Sequence, residues 1–202
     1  TCALPILTAR RYFHEFESTH DDLVHVSVKN HMHGFDNEVA HLRKDVSFEK
    51  ANSGAMVADP LTLYDCCPTS DGASAVILVA DHLAHQFTDT PIWVKGSGAG
   101  SDKLALHDRP SLTQLRATQL ASQKAYSIAN VQPNQIDLAE VHDCFTIAEV
   151  LATEDLGFAG RGEGGRFARD GLGRRNEGDV TINASGGLKS KGHPLGATGT
   201  GQ

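Results

Sequence analysis

The chain has 202 residues, of which 40% are hydrophobic and 21% are charged, values typical of a globular protein with a sizeable core. The formal net charge of −7, without a basic stripe, argues against a nucleic-acid-binding surface, because such surfaces neutralise phosphates with clustered Lys and Arg. All apolar runs are shorter than the roughly 20 residues that cross a bilayer, so the sequence predicts no membrane span.

The sequence contains four cysteines, at positions Cys2, Cys66, Cys67 and Cys144. None forms a C-x-x-C pair, and adjacent cysteines rarely bridge, so we expect no disulfide framework and a reducing, cytoplasmic compartment. Cys66 and Cys67 are expected to pack or to line a turn. The chain begins with Thr1 and stops at Gln202 where a helix is predicted to start, and we therefore expect a fragment of a longer protein.

The first predicted element is an amphipathic helix, whose apolar side chains recur at the spacing of one helix face. These side chains are Ile6, Ala9, Phe13 and Phe16. Thr19 followed by Asp22 resembles an N-cap and predicts a second helix. Val24, Val26 and Val28 also alternate as they do in a strand, but we favour the helix.

Loops and two strands are predicted next. The polar stretch 30–58 is predicted as a loop with one helical turn after Ser47. "SDGASAVILVA" (70–80) predicts an Asp-Gly turn followed by a buried strand. "IWVKG" (92–96) predicts a further strand, beyond a boundary at "TDTP" (88–91).

The second half predicts alternating helices and strands. Ser111 and Gln114 form a capping-box pattern that predicts the start of a long helix. Its apolar face is formed by Ala117, Leu120, Ala121, Ala125 and Ile128. "NQIDLAEVHD" (134–143) and "VTINAS" (180–185) predict strands, and a helix ended by Gly157 lies between them. This alternation predicts the α/β class.

The first group of candidate functional residues is "EVHDCF" (140–145), where a strand end leads into a helix. A thiol at Cys144 would feel the positive end of the helix dipole, which predicts a lowered pKa, and His142 is close enough in sequence to assist it. The alternative is structural, since unpaired cysteines are commonly buried and Asp143 would cap the helix.

The second group is the glycine-rich segment 183–202, in which Pro194 restrains the backbone beside His193. Glycines allow backbone amides to approach a ligand, and "GATGTGQ" places amides at a predicted helix start. A neutral imidazole there suits a base or a hydrogen-bond donor to a carbonyl oxygen. The alternative is a surface turn with an incidental histidine.

Three weaker patterns are set aside. His31, His33 and His41 lack the usual spacing of metal ligands, and an exposed polar loop is the preferred interpretation. Glu140, with His142 and Cys144 on the same strand face, leaves a metal-binding redox protein as a third option. "KGSGAGS" (95–101) lacks an immediately following helix, so a dinucleotide site is not expected.

Three motifs, taken together, resemble the thiolase superfamily. They are "MVADPLTLYDCCPTSDGASAVILV" (56–79), "HDCF" (142–145) and "NASGGLKSKGHPLGATG" (183–199). They are most similar to the sterol-carrier-protein-x type and to archaeal and bacterial acetyl-CoA acetyltransferase-like proteins. The resemblance implies a layered α/β/α/β/α thiolase fold, incomplete here. It places 1–90 at the end of the N-terminal domain with part of the loop region, and 91–202 in a truncated C-terminal domain.

The resemblance also implies a function, that of an acyl-CoA C-acetyltransferase in lipid metabolism. His193 would activate the nucleophilic cysteine and bind the thioester oxygen, His142 would contribute to an oxyanion hole, and Cys144 would act as acid and base. Residues expected to contact CoA are Ser185, Gly186, Gly187, Gly192 and Gly196. The expected ligand is a CoA thioester as substrate, with neither a metal nor a bound cofactor, and the intact protein is expected to be a homodimer.

Two departures from the thiolase pattern matter. No cysteine here has the context of the family's nucleophile, and the chain ends before the family's C-terminal Cys-x-Gly. We therefore expect the isolated chain to lack activity and to aggregate or depend on a partner. The alternative function is a non-catalytic acyl-CoA-binding or scaffold subunit of the same fold.

Overall fold

The computed structural model describes residues 3–202, so Cys2 lies outside the described part of the chain. The α-helices are α1 (Ala3–Glu15), α2 (His20–Phe35), α3 (Phe48–Asn52), α4 (Arg116–Ala129), α5 (Thr146–Asp155), α6 (Gly164–Arg169), α7 (Gly187–Ser190) and α8 (Thr198–Gly201). The strands are β1 (Met56–Ala58), β2 (Leu61–Thr62), β3 (Leu138–Ala139) and β4 (Thr181–Ile182). None of the described helices is long and apolar enough to cross a membrane.

The two N-terminal helices confirm the prediction, and the second is longer than expected. The Asp22 carboxylate accepts the backbone N–H of Thr19 at 3.2 Å, which satisfies a donor at the start of α2. α2 continues to Phe35, so the predicted loop from residue 30 is wrong over 30–35, where polar side chains find buried partners. The helical turn after Ser47 is confirmed as α3, where the Ser47 hydroxyl accepts the Lys50 N–H.

The strands predicted at 70–80 and 92–96 are wrong. Both segments are irregular and lack ladder partners within residues 3–202. Without a neighbouring strand, extended backbone gains no ladder hydrogen bonds and apolar side chains stay in solvent. Ile77 is 83% exposed and Ile92 is 94% exposed.

α4 begins later than predicted, and glycines of a preceding segment pack against it. It starts at Arg116, and the predicted capping box is wrong because the Ser111 hydroxyl instead accepts the N–H of Thr113. The segment 95–101 lies along the alanine face of α4. A Cβ on Gly98 would come within 2.0 Å of the Ala121 carbonyl oxygen, so only glycine permits this approach.

The short parallel pair β3–β4 holds the second half together, and the mixture of helices and strands confirms the α/β class. Leu138 pairs with Thr181 and Ala139 with Ile182, which confirms strands at both predicted places. α5 follows β3 as predicted, and Gly157 lies just beyond it with a φ of +85°.

The two halves of the chain share one core. Its buried cluster joins side chains of α1 and α2 to those of α5 and α6, and comprises Ala9, Tyr12, Leu23, Val26, Leu61, Ile147, Val150, Leu151 and Ala168. α2 contacts α5, α6 and α7. This central helix therefore supports both loops that carry the candidate site.

Candidate active site

Two loops distant in sequence meet at one place. His142 follows β3, and His193 follows α7, three residues beyond its end at Ser190. Their ring centroids lie 5.0 Å apart in a T-shaped arrangement. Two titratable rings are therefore in contact near the carboxyl end of the parallel pair β3–β4. Ligands of α/β folds commonly bind at this end of the strands.

Residues 66–70, the bridging segment, join the two loops. Cys66 forms an antiparallel bridge with Phe145, and Thr69 forms a parallel bridge with His193. The Cys67 N–H also donates to the carbonyl oxygen of Cys144 at 3.0 Å. The expectation that these cysteines pack or line a turn misses this connecting role.

His193 is held by hydrogen bonds that define its tautomer. Its Nδ1 lies 2.7 Å from Oγ1 of Thr198, and that hydroxyl donates to the carbonyl oxygen of Pro194 at 3.0 Å. Because the hydroxyl proton is already used, Nδ1 carries the ring proton and donates it. Nε2 therefore keeps a lone pair, as a base requires.

Both imidazoles are neutral near pH 7. The pKa of His193 lies below its ordinary value because of desolvation and then because of the nearby Lys191 ammonium. The pKa of His142 is also lowered, first by desolvation and then by His193. Two adjacent neutral rings can accept a proton or donate an N–H without repelling each other.

The predicted lowering of the Cys144 pKa is wrong. The pKa of this thiol is raised to about 11, mainly by burial and then by the neighbouring Cys67, although the Lys189 ammonium opposes both. Desolvation of the thiolate is the largest effect on this pKa. Cys144 is therefore a protonated thiol, suited to donating a proton rather than to attacking as a resting thiolate.

A buried polar network fixes the loop after β3. Asp143 accepts hydrogen bonds at 2.7 Å from the Asn30 side chain and from the Leu188 N–H, so it does not cap α5. Glu149 pairs with Lys29 at 3.0 Å. Burial raises the pKa of Asp143 to about 6. Because each buried polar group is costly if left unpaired, this network holds the His142 loop in one position.

Most of the glycine-rich segment is packed against the protein itself. Positive φ angles occur at Gly186, Gly187 and Gly192. A Cβ at Gly186 would meet the Gly34 backbone at 2.6 Å, and one at Gly187 would meet the Asp143 carboxylate at 2.4 Å. Internal packing therefore explains these glycines.

The remaining predicted CoA contacts differ in accessibility. The Ser185 hydroxyl donates to Glu140 at 2.7 Å, whereas nothing lies within 4 Å of a Cβ built on Gly196. The amides of Ala197 and Thr198 bond to the Pro194 carbonyl oxygen, so they are not the available donors that the sequence predicts. The CoA contacts assigned to Ser185, Gly186, Gly187, Gly192 and Gly196 stay predictions.

A cavity of about 430 Å³ lies beside the His193 loop and is lined in part by Ser70, Gly192, Pro194 and Thr198. The Ser70 hydroxyl accepts the backbone N–H of His193 at 3.2 Å. The cavity falls in the size range of small-molecule sites.

The metal alternatives find no support in residues 3–202, where no group of three or more His, Cys, Asp or Glu side chains is placed to hold an ion. Glu140 is bound to Ser185, and His33 bonds the Asn183 carbonyl oxygen and the Arg175 N–H.

Sequence reasoning missed three polar side chains at the site, Ser70, Thr198 and Lys189. The sequence did offer a signal for Thr198, because a hydroxyl residue one helical turn beyond His193 can reach the imidazole ring. No sequence signal indicates that Lys189 is buried, because a lysine in a polar motif is expected on the surface. In the structure the residue is only 1% exposed.

Comparison with known proteins agrees with this geometry. Residues 98–201 match the family described as thiolase C-terminal domain-like. The chain is 48% identical over 200 residues to an acetyl-CoA acetyltransferase of Methanothermobacter thermautotrophicus, covering 99% of this chain and 52% of that protein. It is 36% identical over 198 residues to the benzoylsuccinyl-CoA thiolase subunit BbsB of Thauera aromatica, covering 97% and 51%.

A third relative is sterol carrier protein 2 of Bos taurus, 31% identical over 198 residues, with 96% of this chain and 36% of that protein covered. The chain thus spans about half the length, or less, of these curated relatives.

Solved structures show the same fold. The chain superposes on the Ltp2-ChsH2(DUF35) aldolase with a TM-score of 0.89 at 27% identity, covering 100% of this chain and 54% of the other. A monomeric SCP2-thiolase-like protein type 1 from Mycobacterium smegmatis gives a TM-score of 0.68 at 15% identity, covering 98% and 42%, a likeness of fold alone. With the family match across 98–201 and the two histidine loops in contact, the chain belongs to the thiolase family.

Proposed function

We propose that this chain supplies the acid/base and oxyanion half of an acyl-CoA C-acetyltransferase site, which forms or cleaves a carbon–carbon bond beside a CoA thioester. The observation that carries the proposal is the contact of His142 with His193, 5.0 Å between ring centroids, with Cys144 two residues further along the same loop. The relatives named acetyl-CoA acetyltransferase and thiolase support this reaction class.

His193 would act first as a base and then as a donor. Its unprotonated Nε2 would take the proton of the nucleophilic cysteine, and the resulting N–H would stabilise the negative charge that develops on the thioester oxygen. His142 would supply a second donor to that oxyanion hole. Positioned donors of this kind contribute about 3–4 kcal/mol each to the transition state.

Cys144 would transfer the second proton. In thiolysis the thiolate nucleophile attacks the 3-keto carbonyl, the bond between C2 and C3 breaks, and the Cys144 thiol protonates the departing acetyl-CoA enolate at carbon. In condensation the Cys144 thiolate would remove that proton. A thiol whose pKa is raised to about 11 suits both directions of the reaction, since it is protonated at rest and strongly basic once deprotonated.

The nucleophilic cysteine, under this proposal, lies in a part of a longer protein that precedes these residues. The proposal also includes a domain boundary near residue 90, CoA contacts by the 185–196 segment, a homodimeric assembly and a cytoplasmic location. Either direction of the reaction is compatible with the site.

The test is thiolysis of acetoacetyl-CoA by the longer protein. Cys144→Ala and His193→Ala should each lower kcat by about 10²–10⁴-fold, the range for loss of a general acid or base. His107→Ala is the matched control, because this histidine side chain is 84% exposed and lies on a different segment. Activity near wild type in both site variants would rule out the roles assigned.

The alternative, a non-catalytic acyl-CoA-binding subunit, predicts a different pair of results. Such a protein would bind CoA thioesters with unchanged affinity after Cys144→Ala and would show no turnover in any form. Thiolysis by the wild-type longer protein that is lost in Cys144→Ala excludes it.

A further inference from the structure

A second cavity, of about 260 Å³, lies next to the candidate site. Cys67 forms part of its wall, and the Cys67 N–H donates to the carbonyl oxygen of Cys144 at 3.0 Å. The cavity is smaller than most pockets that enclose a whole ligand. It therefore suits one end of a ligand whose reacting part lies at the neighbouring site.

Two described residues in the wall of this cavity each carry a buried nitrogen without a hydrogen-bond partner. Within residues 3–202, the buried side-chain nitrogens that have no hydrogen-bond partner are Nδ1 of His31 and Nζ of Lys189. Both residues belong to the wall of this cavity, and they are 5% and 1% exposed. A buried ammonium without a hydrogen-bond or ion-pair partner is unfavourable, so its presence at a cavity points to an anionic ligand group.

The charged side chains in the wall of the cavity are all lysines. Lys44 and Lys50, both exposed, also line it, and its wall, which lies within the described residues, contains no carboxylate. Asp143 acts on Lys189 electrostatically without a hydrogen bond to it, and its oxygens accept hydrogen bonds from the Asn30 side chain and the Leu188 N–H. The Lys189 ammonium thus lacks an ion-pair partner within the described residues.

The rest of the wall is apolar. It is completed by Leu42, Val46, Leu63, Cys66, Pro68 and the ring of Tyr64. Such a wall accommodates methylene groups, whereas a free inorganic anion would gain nothing from it. The phosphates of CoA are separated from the thioester by the long pantetheine arm, so they do not suit a cavity that adjoins Cys144.

We propose that this cavity binds the far carboxylate of a dicarboxylic acyl group, with Lys189 as its counter-ion and His31 as a second hydrogen-bond donor. This inference rests on the proposed function for the chemistry at the thioester and adds the substrate class. The favoured substrates are then thioesters whose acyl chain ends in a free carboxylate. His31 is neutral near pH 7, since burial and then Lys189 lower its pKa to about 4, and it therefore donates an N–H without adding charge.

The test uses three probes that need no turnover: pentanoate, its uncharged analogue pentanamide, and inorganic phosphate. Each is titrated into the longer protein with ¹⁵N-labelled histidine, and the His31 ring signals, assigned by their loss in His31→Gln, report occupancy. Pentanoate should saturate the shift at a concentration about tenfold or more below pentanamide, the effect of one charge-assisted hydrogen bond. Lys189→Met should abolish that difference, and Lys124→Met, on the exposed side of α4, should keep it.

Several outcomes would overturn the proposal. Equal binding of pentanoate and pentanamide by the wild-type chain, or no saturable shift with pentanoate, would do so without any variant. So would a Lys189→Met chain that still discriminates. Tighter binding of phosphate than of pentanoate would assign the cavity to a phosphate of CoA or to the free ion. Because the probes carry no thioester, inactivity in the thiolysis assay would leave this result unaffected.

Discussion

Thr198 determines which ring nitrogen of His193 is available to react. Its hydroxyl donates to the Pro194 carbonyl oxygen and so accepts the Nδ1 proton, at 2.7 Å. Thr198→Val removes the acceptor at nearly the same volume. We expect kcat for thiolysis by the longer protein to fall about tenfold with little change in KM, the cost of losing one hydrogen bond that favours the reactive tautomer.

Thr198→Ser is the matched control, because it keeps the hydroxyl and should keep kcat within a few-fold of wild type. If the valine and serine variants have equal kcat values, Thr198 does not set the tautomer.

His33 makes the stability of the fold depend on pH. Burial, and then the Lys29 ammonium, lower the pKa of this imidazole to about 4 from an ordinary 6.5. Between these values the unfolded chain takes up a proton that the folded chain cannot, so the stabilising contribution is present above pH 6.5 and is lost as pH falls towards 4. The loss is about 3 kcal/mol from this residue.

The measurement is urea unfolding of wild-type and His33→Gln chains between pH 4 and pH 7. The difference in unfolding free energy between the two should shrink as pH falls, because only the wild type is destabilised by protonation of His33 in the unfolded chain. Asp143, whose pKa burial raises to about 6, acts in the opposite direction but is present in both proteins. A pH-independent difference would refute the assignment.

At the scale of elements, the segment 95–101 and α4 fit together only through glycine. A Cβ on Gly98 would lie 2.0 Å from the backbone oxygen of Ala121, and backbone cannot rotate away as a side chain can. We expect Gly98→Ala to destabilise the chain by about 1–3 kcal/mol in urea unfolding, as overpacking does.

Gly199→Ala is the control for that experiment. This glycine lies in α8, nothing is within 4 Å of an added Cβ, and alanine favours helical backbone. Its unfolding free energy should stay equal or rise by up to about 1 kcal/mol. Equal effects of the two substitutions would mean that the contact with α4 carries no energy.

At the scale of the whole molecule, the irregular segments 70–80 and 92–96 line an apolar groove of about 490 Å³ on the surface. Ile77, Leu78, Ile92 and Val94 contribute to it, with Ile92 the most exposed of them at 94%. Contiguous apolar surface of this kind drives association. We expect the average mass of the purified chain, measured by sedimentation, to rise with concentration.

The double variant Ile77→Lys with Ile92→Lys should reduce that association. Val39→Lys is the control, because Val39 is 85% exposed but lies outside the groove. A wild-type chain whose average mass stays monomeric at every concentration would contradict the prediction.

Patterns between neighbouring residues predicted much of this fold. The apolar spacing of α1, the Thr19–Asp22 start of α2, and the strands β3 and β4 all depend on interactions within a few residues. The three motifs likewise identified the family and the two histidine loops, because motif residues are recognised by type and order. The family therefore follows from the linear sequence.

Other properties were decided only by the tertiary structure, because they depend on residues far apart in the chain. The pKa of Cys144 rises because packing desolvates it, and Lys189 is buried because the elements around it close over it. The segments 70–80 and 92–96 have strand-like composition, yet a strand needs a paired neighbour, and the described residues supply none. Sequence thus determined the family and the order of its motifs, whereas the surroundings supplied by distant residues decided the charge, the burial and the partners of the candidate site residues.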